Sequence, residues 1–93
     1  MKGANRRIVW GGGAIASVKQ MAERGTYLSE WLAARAIAVA RSMQKEGPPA
    51  NTAKYLLKEG RTLYVYKLTG VRFKFYDDGD TIELVDIQFG SWR

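Results

Sequence analysis

The chain has no cysteine and no histidine. The first absence excludes disulfides, thiolate metal sites and a cysteine nucleophile, and it fits a reducing compartment. The second removes the usual general base and the commonest metal ligand. Any catalysis therefore falls to Lys, Arg, Tyr, Asp or Glu, and neither a cofactor nor a metal is expected. Proline is confined to Pro48-Pro49. Long apolar runs are missing too: the most apolar segment, WLAARAIAVA, is interrupted by Arg35 and is far shorter than a membrane span. The opening MKGANRRIVWGGG is basic but has no apolar stretch of signal-peptide length. These features predict a soluble, cytoplasmic protein without a membrane partner. Acidic residues are scarce, 9 against 15 basic, and the formal charge of +6 favours an anionic partner: RNA, DNA or an acidic protein inhibitor.

What is present suffices for one small core. Ninety-three residues make a single domain, 1–93, and a 46% hydrophobic content argues against disorder. Arg6 to Trp10 (RRIVW) has strand composition. Gly11 to Gly13 follow as a loop, and AIASVKQMAER then places Ile15, Val18 and Met21 or Ala22 on one helical stripe. No Gly-Lys-Ser/Thr follows the glycines, so a strand-to-helix turn explains them better than a phosphate loop. Gly25 ends the first helix, and Thr26 or Ser29 can cap a second. That helix carries Leu28, Leu32, Arg35 or Ala36, Val39 and Met43 on one stripe; its many alanines imply close approach to a neighbouring layer. Gly47-Pro48-Pro49 stops it. Residues 51–60 read as a connection with room for one helical turn over 53–58.

The last third reads as a three-stranded meander: TLYVYKL, Thr69-Gly70, VRFKFYD, Asp78-Gly79, TIELVDIQF. Two tight turns set a register in which Leu68 faces Val71, Lys67 faces Arg72, Val65 faces Lys74 and Leu63 faces Tyr76. Across the second turn Phe75 faces Ile82, Lys74 faces Glu83 and Phe73 faces Leu84. Alternation then puts Tyr64, Tyr66, Phe73, Phe75, Ile82 and Leu84 on a core face. Lys67, Arg72, Lys74 and Tyr76 fall on the other, together with the apolar Val65, Val85, Ile87 and Phe89. The expected fold is α+β, with the N-terminal strand and helical hairpin packed on the C-terminal three-stranded antiparallel meander.

Directly opposed like charges, as at Lys67 and Arg72, repel. A merely solvated sheet face would avoid that pair, whereas a phosphate between them accounts for it, since arginine binds phosphate bidentately and lysine as a point charge. The bland alternative is an ordinary polar face with a Lys74–Glu83 surface ion pair. Tyr76 and Trp92 are better placed to stack on nucleotides than the tyrosines and phenylalanines of the core face. Asp77, Asp78 and Asp80 lack calcium-loop spacing and read as turn chemistry.

The first strand, the helical hairpin, the run LYVYKLTGVRFKFY (L-Y-x-x-K-L-x-G-x-R-x-x-x-Y) and the ending GSWR resemble the RelE/ParE toxin superfamily, including HigB-like proteins of phages and plasmids. The resemblance implies a RelE-like toxin of a type II toxin-antitoxin pair. Its helices would pack on one side of the sheet and leave a basic concave face on the other. Many members cleave mRNA in the ribosomal A site, so the implied partners are an antitoxin protein and the ribosome with its mRNA. By this resemblance Lys67 corresponds to a sheet lysine of the active site, Arg72 to the arginine that holds the scissile phosphate and Arg93 to the arginine after the last strand. With Tyr76, which the absence of histidine adds, Lys67 and Arg72 are the catalytic candidates. Arg93 joins Lys74 of the cationic face and Trp92 as the nucleic-acid-binding ones. Val65 stands where some members carry another lysine, and the C-terminal extension bearing a catalytic tyrosine in some members has no counterpart. These departures leave open a non-catalytic inhibitor on the same scaffold, blocking gyrase as the ParE branch does or another host nucleic-acid enzyme. Separately, LAARAIAVARSM followed by Gly-Pro-Pro resembles the helix-then-proline region of phage tail-completion proteins, a small structural alternative whose Thr-Gly-x-Leu step after the proline is missing here.

Overall fold

In the computed structural model, which describes residues 5–90, the element order is β1 (Arg7–Trp10), α1 (Gly12–Glu23), α2 (Tyr27–Glu46), β2 (Ala53–Leu56), β3 (Thr62–Leu68), β4 (Val71–Asp77) and β5 (Thr81–Phe89). The fold is α+β: two helices pack on a five-stranded mixed sheet of order β1-β5-β4-β3-β2. All neighbouring strands are antiparallel except β1, which runs parallel to β5 at one edge.

The meander has one strand more than expected. Ala53–Leu56 pairs with β3 as an exposed edge strand rather than forming a helical turn. Its register with Thr62–Val65 is closed by the Leu57–Arg61 loop, where Leu57 N–H donates to Arg61 O and Gly60 adopts φ 93°. Tyr55 and Leu56 remain well exposed, so pairing with β3 rather than burial holds this segment extended.

Side-chain size misleads in both helices. The buried positions are Ala14, Val18 and Met21 in α1, and Ser29, Ala33, Ala36, Ala40 and Met43 in α2. Ile15 and Leu28, both expected on buried stripes, are 50% and 62% exposed. Small residues bring the helix backbones close to the sheet, and the bulk of the core comes from Val71, Phe73, Phe75, Ile82, Leu84 and Ile87 on the strands. Thr26 caps α2 reciprocally with Ser29: Ser29 N–H donates to Thr26 Oγ1 at 3.0 Å, and Thr26 N–H donates to Ser29 Oγ at 3.1 Å.

The glycine-rich step is structural. Gly12 and Gly13 already belong to α1, and Gly11 N–H donates to Leu84 O at 2.8 Å. A Cβ at Gly11 would sit 2.6 Å from that carbonyl oxygen, and one at Gly13 would sit 3.2 Å from Val85 O. The strand-to-helix step is thus pressed against the β5 backbone. Gly11→Ala is expected to destabilise the fold by about 1–3 kcal/mol in urea denaturation, because backbone and not a flexible side chain must give way. Gly12→Ala, with nothing within 4 Å of the new atom, serves as the control and should change little.

Candidate nucleic-acid interface on the sheet

The β3–β4 register is the expected one, with Lys67 opposite Arg72 and Val65 opposite Lys74 around Gly70 at φ 86°. The β4–β5 register differs. Asp77 pairs with Ile82, Tyr76 with Glu83 and Phe75 with Leu84, two residues away from the tight-turn expectation. The cause lies in the acidic loop: Asp78 Oδ1 accepts from Asp80 N–H at 2.9 Å and Thr81 N–H at 2.7 Å, widening the connection. These donors hold the Asp78 carboxyl below the ordinary carboxylate value. Arg6 adds an ion pair of 2.9 Å to Asp77, tying the start of β1 to the same loop.

A further shift follows at Lys74/Phe75, where a bulge leaves Val85 between the pairs Phe75–Leu84 and Lys74–Asp86. An extra residue reverses which side chains point inward. Ile87 is consequently fully buried in the core and Phe89 packs against it, so neither lies on the cationic face as expected. In exchange that face receives Asp86 opposite Lys74 and Gln88 opposite Arg72. The expected Lys74–Glu83 neighbours are not partners. Glu83 instead forms a 3.5 Å ion pair with Arg61.

The helix-free face thus carries Lys67, Arg72, Lys74 and Tyr76, with the exposed Tyr55 joining them from the edge strand through its pairing with Leu63. Lys67 is exposed, and Arg72, Lys74 and Tyr76 are half-buried. Arg72 is held in place by Gln88, whose Oε1 accepts from both Nε, at 2.8 Å, and Nη2. A neutral amide orients the guanidinium without cancelling its charge. Among the described residues, ion pairs join Arg6 to Asp77 and Arg61 to Glu83; Lys67 and Lys74 have no described carboxylate within 4 Å, although Asp86 is the cross-strand neighbour of Lys74. Val65, beside Lys74, is 8% exposed on this face yet lies outside the main core cluster.

Tyr76 stands apart from the Lys67–Arg72 pair. Four residues separate it from Arg72 along one strand, roughly 13 Å at the usual rise. Its ring lies beneath the Arg61 guanidinium, 3.6 Å from the centroid. With Glu83, Asp77 and Asp78 the two line a cleft of about 290 Å³ at the far end of the face. Trp92 and Arg93, the remaining sequence candidates, lie outside the described residues.

Two contributors escape a reading of the sequence. Gln88 reaches Arg72 only because of the bulge, which leaves no clear local signature. Arg61 is different, since it precedes β3 directly, but its stacking on Tyr76 depends on the bend of the Leu57–Arg61 loop. No cluster of three or more acidic side chains able to hold a metal ion occurs among the described residues. No helix there is long and apolar enough to cross a membrane. No protein-family model matches the chain, and neither the curated proteins nor the solved structures contain a significant match.

Proposed function

We propose that the protein is a RelE-like toxin that cleaves translated mRNA in the cytoplasm and is held in check by an antitoxin covering its cationic sheet face. The observation that carries this reading is the direct pairing of Lys67 with Arg72 on the face left free by the helices. The scissile phosphate sits between those two residues, and Lys74 receives a neighbouring phosphate. The Arg61–Tyr76 stack, roughly 13 Å along the strand, offers a platform for an unstacked base.

The reaction is attack of a ribose 2′ oxygen on the adjacent phosphorus. The P–O5′ bond breaks, leaving a 2′,3′-cyclic phosphate and a 5′-hydroxyl. Arg72 and Lys67 stabilise the added negative charge of the transition state. The Lys67 ammonium is the candidate to give the departing 5′ oxygen its proton while water takes the 2′ proton, because Tyr76 is too far along the strand to touch the same phosphate. Expression in growing cells is expected to arrest growth, with mRNAs cut within codons only while they are translated. Arg72→Ala should relieve both effects while the variant stays folded.

The distance of Tyr76 from the cation pair also supports a second reading, because it leaves one titratable side chain where in-line cleavage employs both a base and an acid. On that reading the same face binds a host nucleic-acid enzyme, such as gyrase, without cutting RNA. Growth arrest with intact mRNA would select it. Expression without any arrest would reject both readings.

A further inference from the structure

On the helix-bearing side, away from the Lys67–Arg72 stripe, the end of α1 and the first turns of α2 form a groove of about 500 Å³ closed by the β3–β4 turn and Phe89. Leu28, Trp31 and Leu32 stand at helical spacings i, i+3 and i+4 along its wall. Leu28 and Trp31 take no part in the core, whose buried α2 positions are Ser29, Ala33, Ala36, Ala40 and Met43, while Leu32 packs partly buried against it and forms the floor of the groove. Leu28 and Trp31 are 62% and 45% exposed, and Tyr27 beside them is 86% exposed. Gly70 belongs to the closing turn, where a Cβ would press on Leu32 at 3.2 Å. A large apolar strip of this kind on a soluble surface marks a contact site.

The charges around it select the occupant. Arg24 and Arg35 line the groove, and no carboxylate does. Neither arginine takes part in an ion pair among the described residues. Arg35 lies over the Trp31 ring, 5.1 Å from its centroid, which orients the cation without neutralising it. Exposed tryptophan and arginine in a concave apolar site are the residues that dominate binding energy at protein interfaces. A second copy of the chain would bring another molecule of charge +6 against these cations.

We infer that this groove docks an acidic amphipathic segment of a partner protein, its apolar side chains against Leu28, Trp31 and Leu32 and its carboxylates against Arg24 and Arg35. The inference does not depend on what the sheet face does. An antitoxin and an acidic regulator of a non-catalytic protein would use the groove alike.

The test titrates the isotopically labelled full chain with a synthetic peptide carrying leucines at i, i+3, i+4 and i+7 and glutamates between them. A second peptide replaces each glutamate by lysine. The glutamate peptide is expected to shift the amides of Arg24, Leu28 and Leu32, and to bind at least about tenfold more tightly than its lysine counterpart. The double variant Arg24→Glu/Arg35→Glu should reverse that preference. Both arginines are exposed and the unliganded spectrum reports folding directly, so a misfolded variant is recognised and replaced by Arg24→Gln/Arg35→Gln, which should abolish the preference. Equal binding of both peptides, or shifts at Lys67 and Lys74 instead, would overturn the inference. So would groove shifts that depend on protein concentration alone, which indicate a second copy. Groove shifts produced by deleting Ser91–Arg93 would also overturn it, by identifying the chain's own end as the occupant.

Discussion

Arg72→Ala is expected to lower the rate of mRNA cleavage in a translating extract by about 10²–10³-fold, the cost of removing one fixed cation aimed at a developing oxyanion. Stability should move by no more than about 1 kcal/mol, since the substitution relieves repulsion from Lys67 while giving up the Gln88 contact. Arg72→Lys keeps the charge but not the bidentate donor pair, and should fall between wild type and alanine. Gln88→Ala removes the amide that accepts from the guanidinium and leaves the charge in place. A loss near tenfold is expected, with the Arg72→Ala background insensitive to the second change. Undiminished cleavage by a folded Arg72→Ala protein would remove the phosphate-binding role.

The second large effect concerns the bulge. Phe73 is fully buried, stacks on Tyr66 with centroids 6.1 Å apart and faces Ile87 across the β4–β5 ladder. Phe73→Ala is expected to cost about 3–5 kcal/mol through lost burial and the cavity left behind. A domain of this size has only about 5–15 kcal/mol in total, so its thermal midpoint should drop by roughly 15 °C or more. Ile87→Ala is the sharper companion. With the bulge, Ile87 is a core residue and its truncation costs about 2–5 kcal/mol. Without it, Ile87 faces outward with the cations and the cost falls within about 0.5 kcal/mol. A mild Ile87→Ala phenotype would mean that Gln88 is not on the cationic face.

That bulge marks the limit of what the amino-acid order reveals. Thr69-Gly70 is a two-residue turn between alternating strands, so pairing of Lys67 with Arg72 follows from counting. Asp78-Gly79 looks like the same device but is not. Asp78 collects two backbone N–H groups and widens the loop, which displaces the register by an even number and leaves every face unchanged as far as Leu84. The single-residue bulge then reverses the faces beyond it, and counting cannot foresee that. A pattern that assigned Ile87 and Phe89 to a charged surface was the visible symptom. In the helices the large residues misled, because alanines were chosen for close backbone approach and Leu28 and Trp31 were left for the surface. The exposed strand β2 carries no alternation of burial to betray it. Hence the cation pair was legible, whereas its steering residue Gln88, the Arg61–Tyr76 stack and the apolar groove required coordinates.

The most direct measurement is a titration of the labelled protein with a short single-stranded RNA at several salt concentrations. If the Lys67–Arg72 face takes RNA phosphates, the amides of Lys67, Arg72 and Lys74 shift together and affinity falls with salt at a slope of about −0.7 per phosphate contacted, for roughly two to three contacts. Shifts confined to the helices, or an affinity indifferent to salt, would contradict it.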